Sequence, residues 1–189
     1  MRSRVSPSPA ELASRFETRL RALGTAKRAA AAKAYLKSEL EFLGVDTPTL
    51  RRELKRLLRE VPEPERAGLL ALVESLWGRG VFELRAAAAE LLTMRAALLE
   101  APDLELLERL IREGGTWALV DALAPSVAGP LVEREAERHP EIGAILDRWA
   151  ADESFWVRRA ALLVHLLPLR RGAGDFARFT RYADAMLEE

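Results

Sequence analysis

Helical periodicity runs through almost the whole of this chain and constrains its fold more than any other feature. Apolar residues recur at intervals of three and four, and Ala, Leu, Glu and Arg, which favour helices, dominate the sequence. The alternation of Val, Ile and Thr that marks a strand is missing. The sequence therefore predicts an all-α protein.

Glycines and prolines divide this helical pattern into short segments. Breaks fall, for example, at Gly24, Gly44, Gly114-Gly115 and Pro125, each with the turn chemistry of a short connection. Between the breaks we predict helices at residues 9–22, 27–42, 48–60, 64–77, 81–97, 103–112, 116–123, 128–138, 141–150, 154–167 and 173–187.

Pairs of these helices span roughly 35 to 40 residues, which is typical of HEAT repeats. Residues 76–92 and 152–163 share one pattern: a polar turn, an aromatic residue, then arginine followed by alanines and leucines. Arg85 and Arg159 occupy equivalent places in it. This repeated spacing of helix pairs favours an α-α superhelix, a HEAT-like repeat solenoid with a concave groove. We expect a single such domain over residues 9–189, after a disordered tail at residues 1–8.

The composition excludes several kinds of site. Without cysteine the chain has neither disulfides nor thiolate metal sites, and this absence predicts a cytoplasmic protein. With two histidines, a His-built metal site is not expected either, and we expect His165 to be a hydrogen-bonded core residue. The longest apolar stretch, residues 160–169, is about half the length of a membrane span, so no membrane partner is predicted.

Charge is distributed unevenly, although the formal net charge is zero. Residues 1–60 hold 14 Lys and Arg against 7 Asp and Glu, a net +7, whereas residues 61–189 hold 15 against 22, a net −7. A basic N-terminal part suits contact with a nucleic acid. An ordinary solvated helix surface is the alternative interpretation.

One segment, residues 114–129, places a tryptophan and a carboxylate four residues apart. In a helix, Trp117 and Asp121 share a face. An aromatic surface beside an anion suits a positively charged group. Two alternatives stay open at this point, since Asp121 is also compatible with a salt bridge or cap, and Trp117 with core packing.

Four motifs resemble, in order and spacing, the DNA alkylation repair family of AlkD-type HEAT-like DNA glycosylases. They are residues 34–37, 42–45 and 47–52 near the N-terminus, then residues 76–92, residues 116–121 and residues 155–161. The resemblance covers roughly residues 10–188. It implies a helical superhelix whose basic concave groove holds duplex DNA. It also implies excision of cationic N3- and N7-alkylated purines without base flipping, and no metal or organic cofactor.

The same resemblance assigns roles to particular side chains. Asp121 matches the catalytic carboxylate, Trp117 the tryptophan one turn before it, and Arg159 the arginine of the catalytic groove. We expect Arg159 to bind a backbone phosphate beside the lesion. The resemblance also matches Tyr35 to a groove-facing tyrosine.

From the residues themselves we expect further DNA contacts at Arg51 and Arg52, which form a basic cluster with Lys55 and Arg56, and at Arg85, Trp156 and Arg158. Core or groove-edge packing of Trp156 and a solvated surface for the arginines are the alternatives.

Family members continue past the point where this chain stops, so we expect it to lack C-terminal helices and to act as a monomer. A catalytically weak nucleic-acid-binding module and a protein-interaction scaffold are the alternative functions.

Overall fold

The computed structural model describes residues 7–187, and its regular structure is helical. The helices are α1 (Pro9–Leu23), α2 (Ala26–Leu36), α3 (Thr47–Arg59), α4 (Arg66–Trp77), α5 (Phe82–Met94), α6 (Asp103–Gly114), α7 (Trp117–Leu123), α8 (Gly129–Glu135), α9 (Glu141–Ala150), α10 (Phe155–Leu163), α11 (Leu166–Arg170) and α12 (Phe176–Met186). Within the described residues, one isolated bridge between Glu41 and Val81 is the sole extended pairing. The all-α prediction is confirmed.

None of the helices in residues 7–187 is long and apolar enough to cross a membrane. The chain forms two compact units, residues 1–94 and residues 95–189. The superhelix and its groove stay predictions, as does the single continuous domain.

In the first unit, α4 packs against α1 and α5, and α3 packs against the same two helices. Their facing side chains, among them Phe16, Leu54, Leu76 and Leu91, are fully buried. Such burial of large apolar side chains contributes roughly 1.5–3 kcal/mol each. The unit therefore rests on a conventional apolar core.

Helix α1 begins at Pro9, the start that the sequence predicted. Ser8 is its N-cap: the hydroxyl accepts from the Glu11 N–H, and the Glu11 carboxylate accepts from the Ser8 N–H at 2.7 Å. This capping box satisfies two amides at the helix start. Residues 1–6 of the predicted tail lie outside the described residues.

Helix α2 is unlike its neighbours because it has no buried residue. It also ends six residues before the predicted boundary at residue 42, since Lys37 adopts a left-handed conformation with φ 49°. That conformation is rare outside glycine and stops the helix. The residues that follow α2 therefore form a connection instead of continuing the helix to residue 42.

A buried carboxylate holds this connection in place. Glu83, near the start of α5, is 2% exposed and accepts hydrogen bonds from the backbone N–H groups of Leu43, Gly44 and Val45 at 2.9, 2.7 and 3.2 Å. Gly44 has φ +78°, and a Cβ there would lie 2.2 Å from the Thr25 carbonyl oxygen. The side chain of Glu83 thus accepts the backbone hydrogen bonds that a strand partner would otherwise accept.

Helix α10 is central in the second unit, where it packs against α6, α7, α9 and α12. Between α7 and α8, residues Ala124–Ala128 form a π-helical turn, and the Gly129 N–H donates to the Ala124 carbonyl. The predicted break at Pro125 is therefore wrong, because the wider turn carries the chain on helically. The predicted helix at 154–167 is divided in two, since α10 ends at Leu163 and α11 begins at Leu166.

His165 joins α10 to α11 and is 6% exposed, as expected for a core residue. Its ring lies 6.0 Å from that of Tyr182. The expected hydrogen bond is missing at one ring atom, since Nε2 is buried without a partner. Burial lowers the pKa of His165, with Asp175 raising it and Arg178 lowering it by smaller amounts.

Replacing the buried carboxylate tests its structural role. We expect Glu83→Gln to lower the free energy of unfolding by about 2 kcal/mol, because an amide NH2 then faces a backbone N–H. Denaturant unfolding measures the change. Glu90→Gln, in the same helix but in a partly exposed pair with Arg51, is the control and should cost under about 1 kcal/mol. Equal losses in the two variants would contradict the assignment.

Acid should destabilise the protein partly through His165. Because its pKa is lowered in the folded state, the unfolded chain binds this proton first as the pH falls through 6.5, and stability is lost below that pH. We expect His165→Phe to remove a slope of up to about 1.4 kcal/mol per pH unit from the unfolding free energy. His139→Gln, at the more exposed histidine, is the control. An unchanged slope in His165→Phe would refute the prediction.

Candidate functional site

Trp117 and Asp121 lie one turn apart on the outward side of α7. The opposite side of this helix is buried through Leu119, Val120 and Leu123. Trp117 is 42% exposed, and the side chain of Asp121 is 34% exposed. The predicted shared face is confirmed, and core packing does not account for this tryptophan.

The carboxylate of Asp121 has a partner on α10. The Arg159 guanidinium donates from Nε to Oδ1 at 2.7 Å and from Nη2 to Oδ2 at 2.6 Å. This two-point geometry is the strongest form of a carboxylate ion pair. The hydrogen bond to Asp121, opposed by desolvation, raises the pKa of Arg159. The salt bridge left open by the sequence analysis is therefore present, and its partner is the very arginine assigned to phosphate.

The pair remains accessible to solvent. About a third of each side chain is exposed, 36% for Arg159 and 34% for Asp121. A pair at that level of exposure contributes roughly 0–1 kcal/mol, because water competes for both partners. Breaking the ion pair therefore costs little free energy, so Arg159 can bind another anion and Asp121 another cation.

Two glycines shape the backbone on either side of α7. Gly115 ends α6 with φ +60°, which turns the chain into α7. After the π-helical turn, a Cβ on Gly129 would lie 2.8 Å from the carbonyl oxygen of Val164, just beyond α10. Only glycine permits this close approach without a shift of the backbone. Asp121 and Arg159 meet where α7 packs against α10.

The other two predicted residues of this unit lie near the start of α10. Trp156 makes an edge-to-face contact with Phe155, whose ring centroid is 5.2 Å away. Arg158 donates from Nη1 to the carbonyls of Asp152 and Glu153, at 2.8 and 3.0 Å. Phe155 is 58% exposed, and the sequence analysis overlooked it. The aromatic pair Phe155-Trp156 was the available signal.

In the first unit, the predicted residues lie on three helices. Tyr35 on α2 is 72% exposed. On α3, Arg51 pairs with Glu90 at 2.9 Å, and Arg52 lies 3.5 Å from Glu53. Arg85 on α5 lies over the Trp77 ring, 5.0 Å from its centroid. Stacking on Trp77 thus competes with the predicted phosphate contact of Arg85.

The exposed basic side chains of α2 were not singled out from the sequence. Lys27 and Lys33 are exposed on this helix, which also carries Tyr35. The sequence indicated this exposed basic surface through an alanine-rich helix that carries lysines. The structure shows that the helix buries no residue. Among residues 7–187, no cluster of three or more His, Asp or Glu side chains is arranged to hold a metal ion.

Two comparisons with known proteins both find similarity to DNA alkylation repair enzymes. The family model described as DNA alkylation repair enzyme matches residues 16–189. A solved structure, described as a predicted DNA alkylation repair enzyme from Enterococcus faecalis, is similar with a TM-score of 0.68 and 22% sequence identity. The match covers 84% of this chain and 72% of that one. At this identity the likeness concerns the fold. No curated protein matches the chain.

The ion pair is measurable as an energetic coupling. In a double-mutant cycle of Asp121→Ala and Arg159→Ala, we expect a coupling of about 0.5–1 kcal/mol in the unfolding free energy, weakening as salt is added. Glu133 and Arg171, a more exposed pair at 48% and 57%, form the control cycle and should couple less. Additive effects of Asp121→Ala and Arg159→Ala would show that the pair does not form in solution.

Proposed function

Because this chain belongs to the DNA alkylation repair enzyme family, we propose that it is a DNA N-glycosylase acting in base excision repair. Its substrates are N3- and N7-alkylated purines in duplex DNA, which carry a positive charge and are removed without base flipping. The exposed carboxylate of Asp121, one turn from the exposed ring of Trp117, is the observation that carries the proposal. The protein acts in the cytoplasm, as a monomer and without a metal.

The chemistry needs few groups. A cationic alkylpurine departs as a neutral base, so the leaving group needs no proton. A second carboxylic acid is therefore not required as a general acid. Positive charge builds on the deoxyribose as the glycosidic bond breaks, and the carboxylate of Asp121 stabilises it and orients the attacking water. Such preorganised electrostatic stabilisation lowers a barrier by about 3–4 kcal/mol. The face of Trp117 adds about 0.5–2 kcal/mol by contact with the cation.

Arg159 must move away from Asp121 before the carboxylate can stabilise the sugar cation. While its guanidinium lies 2.6 Å from Asp121, it offsets the negative charge that the sugar cation requires. A DNA phosphate competes for the same donors, since arginine binds phosphate and carboxylate with similar two-point geometry. In the proposed mechanism, phosphate binding draws Arg159 away and frees the carboxylate as the DNA docks.

The basic side chains of the first unit supply the sequence-independent part of DNA binding. Arg51, Arg52 and Tyr35 are exposed there, and contacts from such side chains position a duplex without reading its sequence. In the second unit, Trp156 and Arg158 are the corresponding proposed contacts.

A nucleic-acid-binding module with weak or no catalysis is the second candidate. One observation favours it, namely that the carboxylate of Asp121 is paired in both oxygens. If no phosphate displaces Arg159, duplex binding survives while base release is undetectable. A protein-interaction scaffold, by contrast, would show no salt-dependent affinity for DNA.

Base release decides between enzyme and binding module. We expect Asp121→Asn to slow release of 7-methylguanine and 3-methyladenine from an alkylated duplex by about 100- to 1000-fold, because the negative charge is lost while the shape is kept. Single-turnover assays, in which the released bases are separated and quantified by chromatography, measure the rate. Asp184→Asn, an exposed aspartate on α12, is the matched control and should retain the full rate. Equal release by wild type and Asp121→Asn would remove the proposed role of Asp121.

Salt dependence tests the proposed DNA surface. We expect Arg52→Ala to reduce the slope of log affinity against log salt for a duplex by about 0.9, the value for one lost phosphate contact. Fluorescence anisotropy over a salt series measures it. Arg15→Ala removes an exposed arginine of the same unit outside the proposed surface, and its slope should match wild type. The same slope for Arg52→Ala and wild type would rule out this contact.

A further inference from the structure

Phe155 is a large apolar side chain that stays in contact with solvent beside the candidate site. It is the first residue of α10 and is 58% exposed. Single exposed apolar residues are common on protein surfaces, so exposure alone assigns no role to this ring. Its position is more informative, because Phe155 lies four residues before Arg159 in the same helix. Residues at that spacing share a face, so the ring and the guanidinium lie on the same side of α10.

Helices α7 and α10 run in the same direction, as three contacts in the same order along both helices show. Just before the two helices, Arg112 at the end of α6 donates to Asp152, three residues before α10, at 2.7 and 2.8 Å. The ion pair of the candidate site joins the helices themselves. Beyond both helices, a Cβ on Gly129 would lie 2.8 Å from the carbonyl oxygen of Val164. The two helices are therefore parallel neighbours.

Because the helices are parallel, Phe155 and Trp117 lie on the same side of the ion pair. Each aromatic residue comes four residues before the charged residue of its own helix, or about 6 Å along the helix axis. Both rings are exposed. A cation that approaches Asp121 from this side therefore has one aromatic side chain on α7 and another on α10. Several aromatic faces around one positive charge are the arrangement by which proteins recognise organic cations.

A neighbouring ring orients that of Phe155. The ring centroids of Trp156 and Phe155 are 5.2 Å apart, and the two ring planes meet at 74°. This edge-to-face geometry is one that aromatic pairs prefer. A side chain that is already oriented loses less conformational freedom when it contacts a ligand. Phe155 is therefore preorganised for a contact on its exposed side.

We infer that Phe155 is a second aromatic contact of the substrate cation and increases the preference of the site for a charged over a neutral sugar. This role rests on the proposed function, in which positive charge builds on the deoxyribose beside Asp121. An aromatic face attracts a cation through its quadrupole, whereas an aliphatic side chain of similar size provides apolar contact alone. Phe155 thus determines specificity together with Trp117.

Two DNA duplexes that differ in charge at a single sugar test this role. One carries a pyrrolidine, protonated at neutral pH, in place of one deoxyribose, and the other carries a neutral tetrahydrofuran there. We expect wild type to bind the charged duplex more tightly. The ratio of the two dissociation constants, neutral to charged, should fall by about three- to fivefold in Phe155→Leu, the size of one exposed cation–π contact. Phe155→Tyr keeps the aromatic face and should keep the wild-type ratio. Fluorescence anisotropy measures both dissociation constants.

Phe176→Leu is the matched control, because Phe176 is an exposed phenylalanine, at 65%, on α12. Its ratio should equal that of wild type. The same ratio in Phe155→Leu and wild type would overturn the inference, as would a fall in Phe155→Tyr as large as in Phe155→Leu. Equal affinity of wild type for the two duplexes would also overturn it.

Base release separates this inference from the proposed function, because neither test duplex has a base at the altered sugar. If wild type releases alkylated bases while the ratio in Phe155→Leu is unchanged, the role of Phe155 is refuted and the glycosylase stands. If the ratio falls in Phe155→Leu although wild type releases no base, the aromatic contact is supported and the glycosylase is refuted.

Discussion

The contact between α7 and α10 is the constraint on which the candidate site depends. It brings the Asp121 carboxylate within 2.6–2.7 Å of the Arg159 guanidinium, although the two residues lie far apart in sequence. Gly129, at the start of α8, allows a separate close approach to the end of α10, because a larger residue would meet the Val164 carbonyl. The π-helical turn before Gly129 sets the direction of α8. The packing of α7 against α10 thus brings these two charges together.

The ion pair between Asp121 and Arg159 also limits which ions bind at the site. An unpaired carboxylate beside an aromatic ring would attract any cation, whereas the guanidinium occupies it until a stronger anion arrives. A polyanionic duplex is such an anion, because its phosphates are closely spaced and each binds arginine well. On this account, Arg159 serves twice, first to hold Asp121 in position and then to hold DNA.

Much of this arrangement was readable from the sequence, for definite reasons. Helix type and the shared face of Trp117 and Asp121 depend on local periodicity, which a single sequence contains. The end of α2 at Lys37 was missed because a left-handed lysine has no sequence signature comparable to glycine. The turn through Pro125 was missed because proline is normally a helix breaker, and a π-helical turn tolerates it. The partner of Asp121 and the unpaired Nε2 of His165 depend on tertiary contacts, which local patterns do not encode.

A crystal structure with duplex DNA containing a positively charged pyrrolidine in place of one deoxyribose would test the central claim most directly. The account predicts that the Asp121 carboxylate faces the charged ring nitrogen, with Trp117 beside it and Arg159 bound to a neighbouring phosphate. An intact ion pair between Asp121 and Arg159, with the charged sugar bound elsewhere, would contradict it.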